Sequence, residues 1–210
     1  MSKSIVLIPH GAGNISSLID VFHQLGYFPE LVESASQIDN ADLALIPGVG
    51  ASGRVMAQIR KSGFDHALLR MHERQRPIIG LCVGAQILFG KLYESECTGL
   101  NLIPGEVAPI PNGEFNNGWS DIRIDLNTKD GFDGKTKPLL LKTSAKTFYF
   151  NHGYQINTNA TMQESAFTSD EKRLLAYFVQ NNLCGIQFHP EKSQSAGLTF
   201  IKNTMKHYGF

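Results

Sequence analysis

Apolar residues along the chain fall into two successive patterns. Between Ser4 and about Lys91, short runs rich in β-branched residues alternate with stretches in which apolar positions recur every three or four residues. Ser4 to Pro9 (SIVLIP) predicts a strand. After the turn-like GAGN, Ile15, Leu18, Ile19, Phe22 and Leu25 predict a helix with Asn14 as its N-cap and Gly26 as its stop. Further strands are predicted over Phe28 to Val32, Leu43 to Ile46 and Pro77 to Leu81, and helices over Val55 to Arg60, Phe64 to Glu73 and Ala85 to Lys91. Such alternation implies right-handed crossovers and a parallel sheet covered by helices on both faces. Ligands of these sheets bind beyond the carboxyl ends of the strands, and the glycine-rich turns HGAGN, PGVG and CVG fall at such ends.

Past Lys91 the pattern changes. Short strand candidates at Asp121 to Leu126, Thr147 to Phe150, Leu174 to Phe178 and Leu183 to Phe188 are separated by turn-rich stretches such as PNGEFNNG and TKDGFDGKTK. They predict an antiparallel or mixed extension of the same sheet. A closing helix from about Ser195 to His207 would turn Leu198, Ile201 and Met205 inward. Without an internal repeat or a low-complexity linker, residues 1–210 read as a single domain.

Composition removes several classes of function. Hydrophobic content of 42% with 18% charged residues belongs to a folded globular chain. Nineteen basic and nineteen acidic residues cancel, so no basic field favours nucleic acid or an anionic membrane. No apolar run approaches the roughly 18 residues of a membrane span. Three cysteines (Cys82, Cys97, Cys184) at wide spacings suit neither a disulfide framework nor a zinc site, which points to a reducing, cytoplasmic setting. The seven histidines lack metal-ligand spacing. GAGN is a poor dinucleotide fingerprint, because Ser16 stands where the third glycine would be.

One heptapeptide carries chemistry. In GLCVGAQ, Gly80 and Gly84 flank Cys82 at offsets of two. A sharp strand-to-helix turn strains the residue at its apex, and bulky neighbours two positions away would clash. The turn leaves the sulfur at a helix N-terminus, which favours thiolate, and aims the Val83 amide at an oxyanion formed on a bound substrate. A buried cysteine in a glycine-rich turn fits the same seven residues. A cysteine nucleophile needs a base oriented by a third group. GIQFHPEKS supplies His189 and Glu191 after the strand Leu183 to Phe188, with Pro190 expected to keep the segment extended so that both side chains face one way.

GLCVGAQ together with QFHPE resembles the class I (triad) glutamine amidotransferases. GAGN after the first strand, LIPGVGASG after the third and FYFNHGY before the last strands are similar to the glutaminase subunits of imidazole glycerol phosphate synthase, over Ile5 to about Phe200. The resemblance implies a flavodoxin-like α/β fold, with a mostly parallel sheet, helices on both faces and an antiparallel extension. It implies hydrolysis of L-glutamine to glutamate and ammonia without a cofactor or metal. The ammonia would pass to a synthase or cyclase subunit, a barrel partner in a heterodimer, for L-histidine biosynthesis. Carried over by residue, Cys82 is the nucleophile, His189 the general base and acid, and Glu191 its orienting carboxylate. The Val49 and Val83 amides form the oxyanion hole. Gly50, Gln86, Glu94, Gly153 and Tyr154 hold glutamine, and Trp119 and Lys192 face the partner. The PGVG strand is expected to flip when the partner binds its own substrate, with Gly48 and Gly50 giving it freedom.

Four departures from the family pattern stand out. Val83 and Ala85 replace a usual Leu and Met, Gly153 replaces the Ser of an HSY triplet, and FNNGWSD stands where PHMGWN is usual. The last segment would face the partner. It leaves open an acceptor outside histidine synthesis, such as a synthase that aminates sugars for surface polysaccharides. A cysteine hydrolase of another type on the same elbow, or a degenerate scaffold subunit, are the remaining readings; Gln86 and PGVG count against the first and the intact Cys-His-Glu set against the second.

Overall fold

The computed structural model describes residues 3–11, 15–124, 139 and 146–210. The strands β1 (Ile5–Leu7), β3 (Leu43–Ile46) and β4 (Ile78–Leu81) are buried along their whole length, as is β13 (Leu183–Ile186). Continuous apolar runs suit strands covered on both faces. Alternate residues feed two cores: Ile5, Leu7, Leu43 and Leu45 enter one, while Val6, Ile8, Ala44 and Ile46 enter the other. Helices α1 (Ile15–Gln24) and α6 (Gln194–His207) pack into the first core, α3 (Ser52–Lys61) and α4 (Phe64–Glu73) into the second.

With β2 (Glu30–Leu31), β8 (Asn116–Ile124), β9 (Thr147–His152), β11 (Glu164–Thr168) and β12 (Leu175–Gln180), these strands make one sheet in the order β2-β1-β3-β4-β13-β12-β11-β8-β9. From β2 to β13 neighbours run parallel; from β13 to β9 they run antiparallel. The predicted parallel sheet with an antiparallel extension is therefore what forms. The switch between the two regimes lies at β13, and the ends of β4 and β13 are held in register by the pair Leu81 and Ile186.

Several local expectations change. The helix predicted over Ala85 to Lys91 is a single turn, α5 (Val83–Gln86), followed by strand β5 (Phe89–Leu92). Ile87, Leu88 and Phe89 are all buried, and a continuous apolar run cannot distinguish a buried helix from a buried strand. Strand β5 belongs to a second sheet with β6 (Cys97–Thr98), β7 (Ile103–Pro109) and β10 (Tyr154–Asn157), in the order β10-β7-β5-β6, which the sequence reading missed. It also missed β11 and helix α2 (Ala35–Asn40), although the Ser34–Gln37 capping box is a legible start signal: the Gln37 side-chain oxygen accepts from the Ser34 amide at 2.9 Å. In α6 the inward residues include Phe200, Ile201 and Met205, whereas Leu198 is only half-buried. The Asn14 cap, the end of the predicted strand at Leu126 and the TKDGFDGKTK stretch lie outside the described residues. Among the described residues no helix is long and apolar enough to cross a membrane.

Candidate active site

Cys82 follows the last residue of β4 and adopts φ 48° and ψ −108°, a conformation that ordinary L residues avoid at a cost of about 1–3 kcal/mol. The surrounding backbone over-determines it. The Cys82 amide donates to the Ile186 carbonyl at 2.7 Å, and the Cys82 carbonyl accepts from the Ala85 and Gln86 amides at 3.0 and 3.1 Å. A Cβ on Gly80 would lie 2.4 Å from the Gly84 carbonyl oxygen, and one on Gly84 2.1 Å from that of Ile46, so the elbow closes only with glycine at both positions.

Beside it, β13 runs on through Gln187 and Phe188 to His189, whose amide donates to the Tyr149 carbonyl at 2.8 Å. Pro190–Lys192 is a turn of 3-10 helix, not the extended segment expected from Pro190. The turn still brings Glu191 round to the imidazole: His189 Nδ1 lies 2.8 Å from Glu191 Oε1. Ser193 pins the arrangement. Its hydroxyl donates to the His189 carbonyl at 2.7 Å and accepts from the Tyr149 amide at 2.9 Å. Burial alone would make His189 a weaker base, but the Cys82 side chain and the Glu191 carboxylate reverse this and raise its pKa. Nε2, the ring nitrogen turned away from Glu191, is buried and makes no hydrogen bond of ordinary geometry among the described residues.

The PGVG segment leaves the end of β3, next to β4. Gly50 has φ 113°, open to glycine. A Cβ on Gly48 would lie 1.5 Å from the Leu81 carbonyl oxygen and 2.9 Å from the Val83 nitrogen, so PGVG rests directly on the elbow. The Pro47 carbonyl accepts from His10 Nε2 at 2.8 Å. Burial lowers the pKa of His10 and keeps it neutral, leaving it a single N–H to give. A cavity of about 290 Å³ opens here, lined by Pro47, Gly48, Val49, His189, Glu191 and Lys192 among others.

The remaining sequence-predicted residues are distributed around this centre. Val83 opens α5 beside Gly48. The Gln86 side-chain nitrogen is bonded within the protein, to Gln187 Oε1 at 3.1 Å and to the Tyr154 carbonyl at 3.4 Å. Glu94 accepts from the Ser52 amide at 2.6 Å, at the start of α3 just past Gly50. Gly153 meets the Phe115 ring, which a Cβ would approach to 2.8 Å. Trp119 is half-exposed and packs edge-on to Tyr149 with ring centroids 6.0 Å apart; the Lys192 ammonium sits 5.6 Å over the other ring. These three side chains form one surface patch beside the His189 turn. Cys97 and Cys184 are free thiols away from these contacts, each with its pKa raised by burial. Gln187, Ser193 and His10 carry contacts that sequence reasoning did not assign. Gln187 lay inside the quoted GIQFHPEKS but read as one more strand residue.

The family model for glutamine amidotransferase class I matches residues 6–207. The chain is 34% identical over 209 residues to imidazole glycerol phosphate synthase subunit HisH of Moorella thermoacetica, covering 96% of this chain and 93% of that protein. It is 33% identical over 211 residues to the subunit of the same name from Syntrophotalea carbinolica, covering 95% and 98%. The PurLQS structure from Thermotoga maritima superposes with a TM-score of 0.69 at 17% identity, over 99% of this chain and all of that one. A glutamine amidotransferase from Thermotoga maritima gives 0.56 at 16% identity, over 98% and 82%. At these identities the two structures speak for the fold alone.

Proposed function

The chain belongs to the class I glutamine amidotransferases, and we propose that within them it is the glutaminase subunit of an imidazole glycerol phosphate synthase, acting as one catalytic unit over residues 1–210. The observation that carries the reading is the seating of Cys82 on a strained elbow at the end of β4 while the His189–Glu191 pair, 2.8 Å apart, sits at the end of the adjacent parallel strand. Identity of 33–34% to two proteins named as that subunit supports the choice of pathway.

In this mechanism the Cys82 thiolate, its proton already on His189, attacks the carboxamide carbon of L-glutamine. Charge develops on the former carbonyl oxygen, for which the Val83 amide and, after reorientation of PGVG, the Val49 amide are the donors. His189, kept imidazolium by its neighbours, protonates the nitrogen as the C–N bond breaks and ammonia leaves. The γ-glutamyl thioester is then cleaved by water, whose proton His189 takes; glutamate leaves and the thiolate–imidazolium pair is restored. Glu191 holds the ring orientation and stabilises imidazolium. Gly50, Glu94, Gly153 and Tyr154 would hold the glutamine backbone atoms, with Gln86 in the wall behind. Trp119 and Lys192, joined through Tyr149, would dock the cyclase subunit that takes up the ammonia, in a cytoplasmic heterodimer.

A second reading is favoured by a specific observation. The Phe115 ring stands against Gly153 in the stretch that departs from the family pattern, which leaves room for a subunit matched to a sugar-amidating synthase. Glutamate release should be measured for the chain alone, with a histidine-pathway cyclase and with a sugar-amidating synthase, each with its own substrate. Stimulation by the cyclase is the expected result; stimulation by the other partner alone would transfer the assignment to the second reading. Absence of glutamate release under all conditions would remove both.

A further inference from the structure

The elbow's helix is one turn long, and the macrodipole of so short a helix does little for an anion. Beyond the His189 imidazolium, support for a charged sulfur must come from discrete donors. One is present. Gln187 is 2% exposed, and its side-chain nitrogen donates to Cys82 Sγ at 3.5 Å.

The direction of that amide is fixed by its neighbours. The Tyr154 carbonyl can only accept, so the Gln86 side chain must present its nitrogen there, at 3.4 Å. The same nitrogen reaches Gln187 Oε1 at 3.1 Å. Gln187 therefore turns its oxygen to Gln86 and its N–H to the sulfur. The Tyr154 carbonyl also takes the N–H of His152 Nδ1 at 2.7 Å, which anchors the start of the relay. A flipped Gln187 would place two amide nitrogens together and leave its buried oxygen facing the sulfur, a double penalty.

We propose that Gln187 is a positioning residue for the nucleophile: its side-chain N–H, aimed by the relay from the Tyr154 carbonyl through Gln86, holds the Cys82 sulfur in place and favours its anionic form. This rests on Cys82 being the nucleophile. It assigns Gln86 a role toward Gln187 as well as any toward glutamine.

The test is alkylation by iodoacetamide across a range of pH, read by peptide mass spectrometry so that Cys82 is separated from Cys97 and Cys184. Gln187→Met removes the donor at nearly constant volume, and Gln86→Met removes the aim. In Q187M the pH midpoint of Cys82 alkylation should move up by about one to two units, as expected for loss of a hydrogen bond to a charged group. At pH values below the natural midpoint the alkylation rate should fall about 10-fold or more, and kcat for glutamine hydrolysis should fall with KM little changed. Q86M should shift the midpoint in the same direction by less. A folded Q187M whose profile superimposes on that of the natural chain overturns the proposal; should Q187M fail to fold, an unshifted Q86M does so. A natural chain in which Cys82 alkylates no faster than Cys97 and no glutamate is released would instead overturn the nucleophile itself. The two failures are thus distinguishable.

Discussion

His189, beyond the end of parallel strand β13, and His152, at the end of antiparallel strand β9, are equally buried yet held in opposite charge states. His189 has a carboxylate on one nitrogen and the Cys82 side chain within electrostatic reach, and its pKa is raised. The hydrogen-bond partners of His152 are a neutral carbonyl and a neutral amide. Desolvation lowers its pKa to about 4, the Tyr154 carbonyl opposes this, and the charges on His189 and Lys172 add to the lowering. Its Nδ1 donates to Tyr154, and its Nε2 accepts from the Asn116 side chain at 3.4 Å. The difference teaches that burial does not decide ionisation; the partners at the end of each strand do. The parallel half of the sheet ends beside the charged His189–Glu191 pair, and the antiparallel half carries the neutral His152 and the exposed aromatic patch.

The largest effect expected is at the parallel end. Cys82→Ala should reduce glutamine hydrolysis by at least about 10⁴-fold with the fold intact. Cys82→Gly should be equally inactive but more stable than Cys82→Ala by about 1 kcal/mol, because φ 48° suits glycine. A thermal melt that ranks the two the other way would show that the elbow is not strained. Next, His189→Asn should lower turnover about 10³-fold and Glu191→Gln less, about 10- to 100-fold, since the amide keeps an acceptor and only the charge is lost. Kinetics in which Glu191→Gln is the worse of the two would reverse the roles assigned to them.

Stability against pH separates the histidines by sign. His152 binds its proton less well folded than unfolded. Its contribution is therefore complete above the usual value near 6.5 and is lost as pH falls toward about 4. At about 1.4 kcal/mol per unit the loss reaches roughly 3 kcal/mol. His189 works the opposite way: its stabilisation is present below its usual value and is lost as pH rises through the raised one. Denaturant titrations of His152→Asn should show a flatter acid limb and an unchanged alkaline limb. An acid limb as steep as in the natural chain would contradict the neutral assignment.

The smallest effects are expected on the outer face. Gly153→Ser should push the Phe115 ring aside at a cost of about 1 kcal/mol or less, because that ring is half-exposed and can move. Trp119→Ala should change the stability of the isolated chain by no more than about 0.5 kcal/mol, and its basal rate hardly at all. Stimulation by the partner should nevertheless drop. If Trp119→Ala is stimulated as fully as the natural chain, the patch with Tyr149 and Lys192 is not the docking surface.

How far the sequence reaches differs between the same two halves. Leu43–Ile46 and Phe64–Glu73 were legible to the residue, because a fully buried parallel strand and an amphipathic helix each impose one periodicity over their whole length. β11 and the β5–β7–β10 sheet were not, because their burial alternates irregularly. Ile87 to Phe89 could not be assigned locally, since what turns the chain from α5 into β5 is its pairing with β7.

The sequence by itself determined the elbow and the alternation of strands and helices on which it sits. Glycine two residues either side of a cysteine meets a steric requirement within a single turn, and alternating strands and helices admit one handedness of crossover. Only the tertiary structure decided that Glu191 reaches His189 through a 3-10 turn rather than an extended segment, that His152 stays neutral, and that Gln187 presents a proton to the sulfur. Those outcomes depend on desolvation and on which carbonyl fixes the direction of each amide. Both are properties of groups far apart in the chain, such as Tyr154 and Gln86, that no local pattern records.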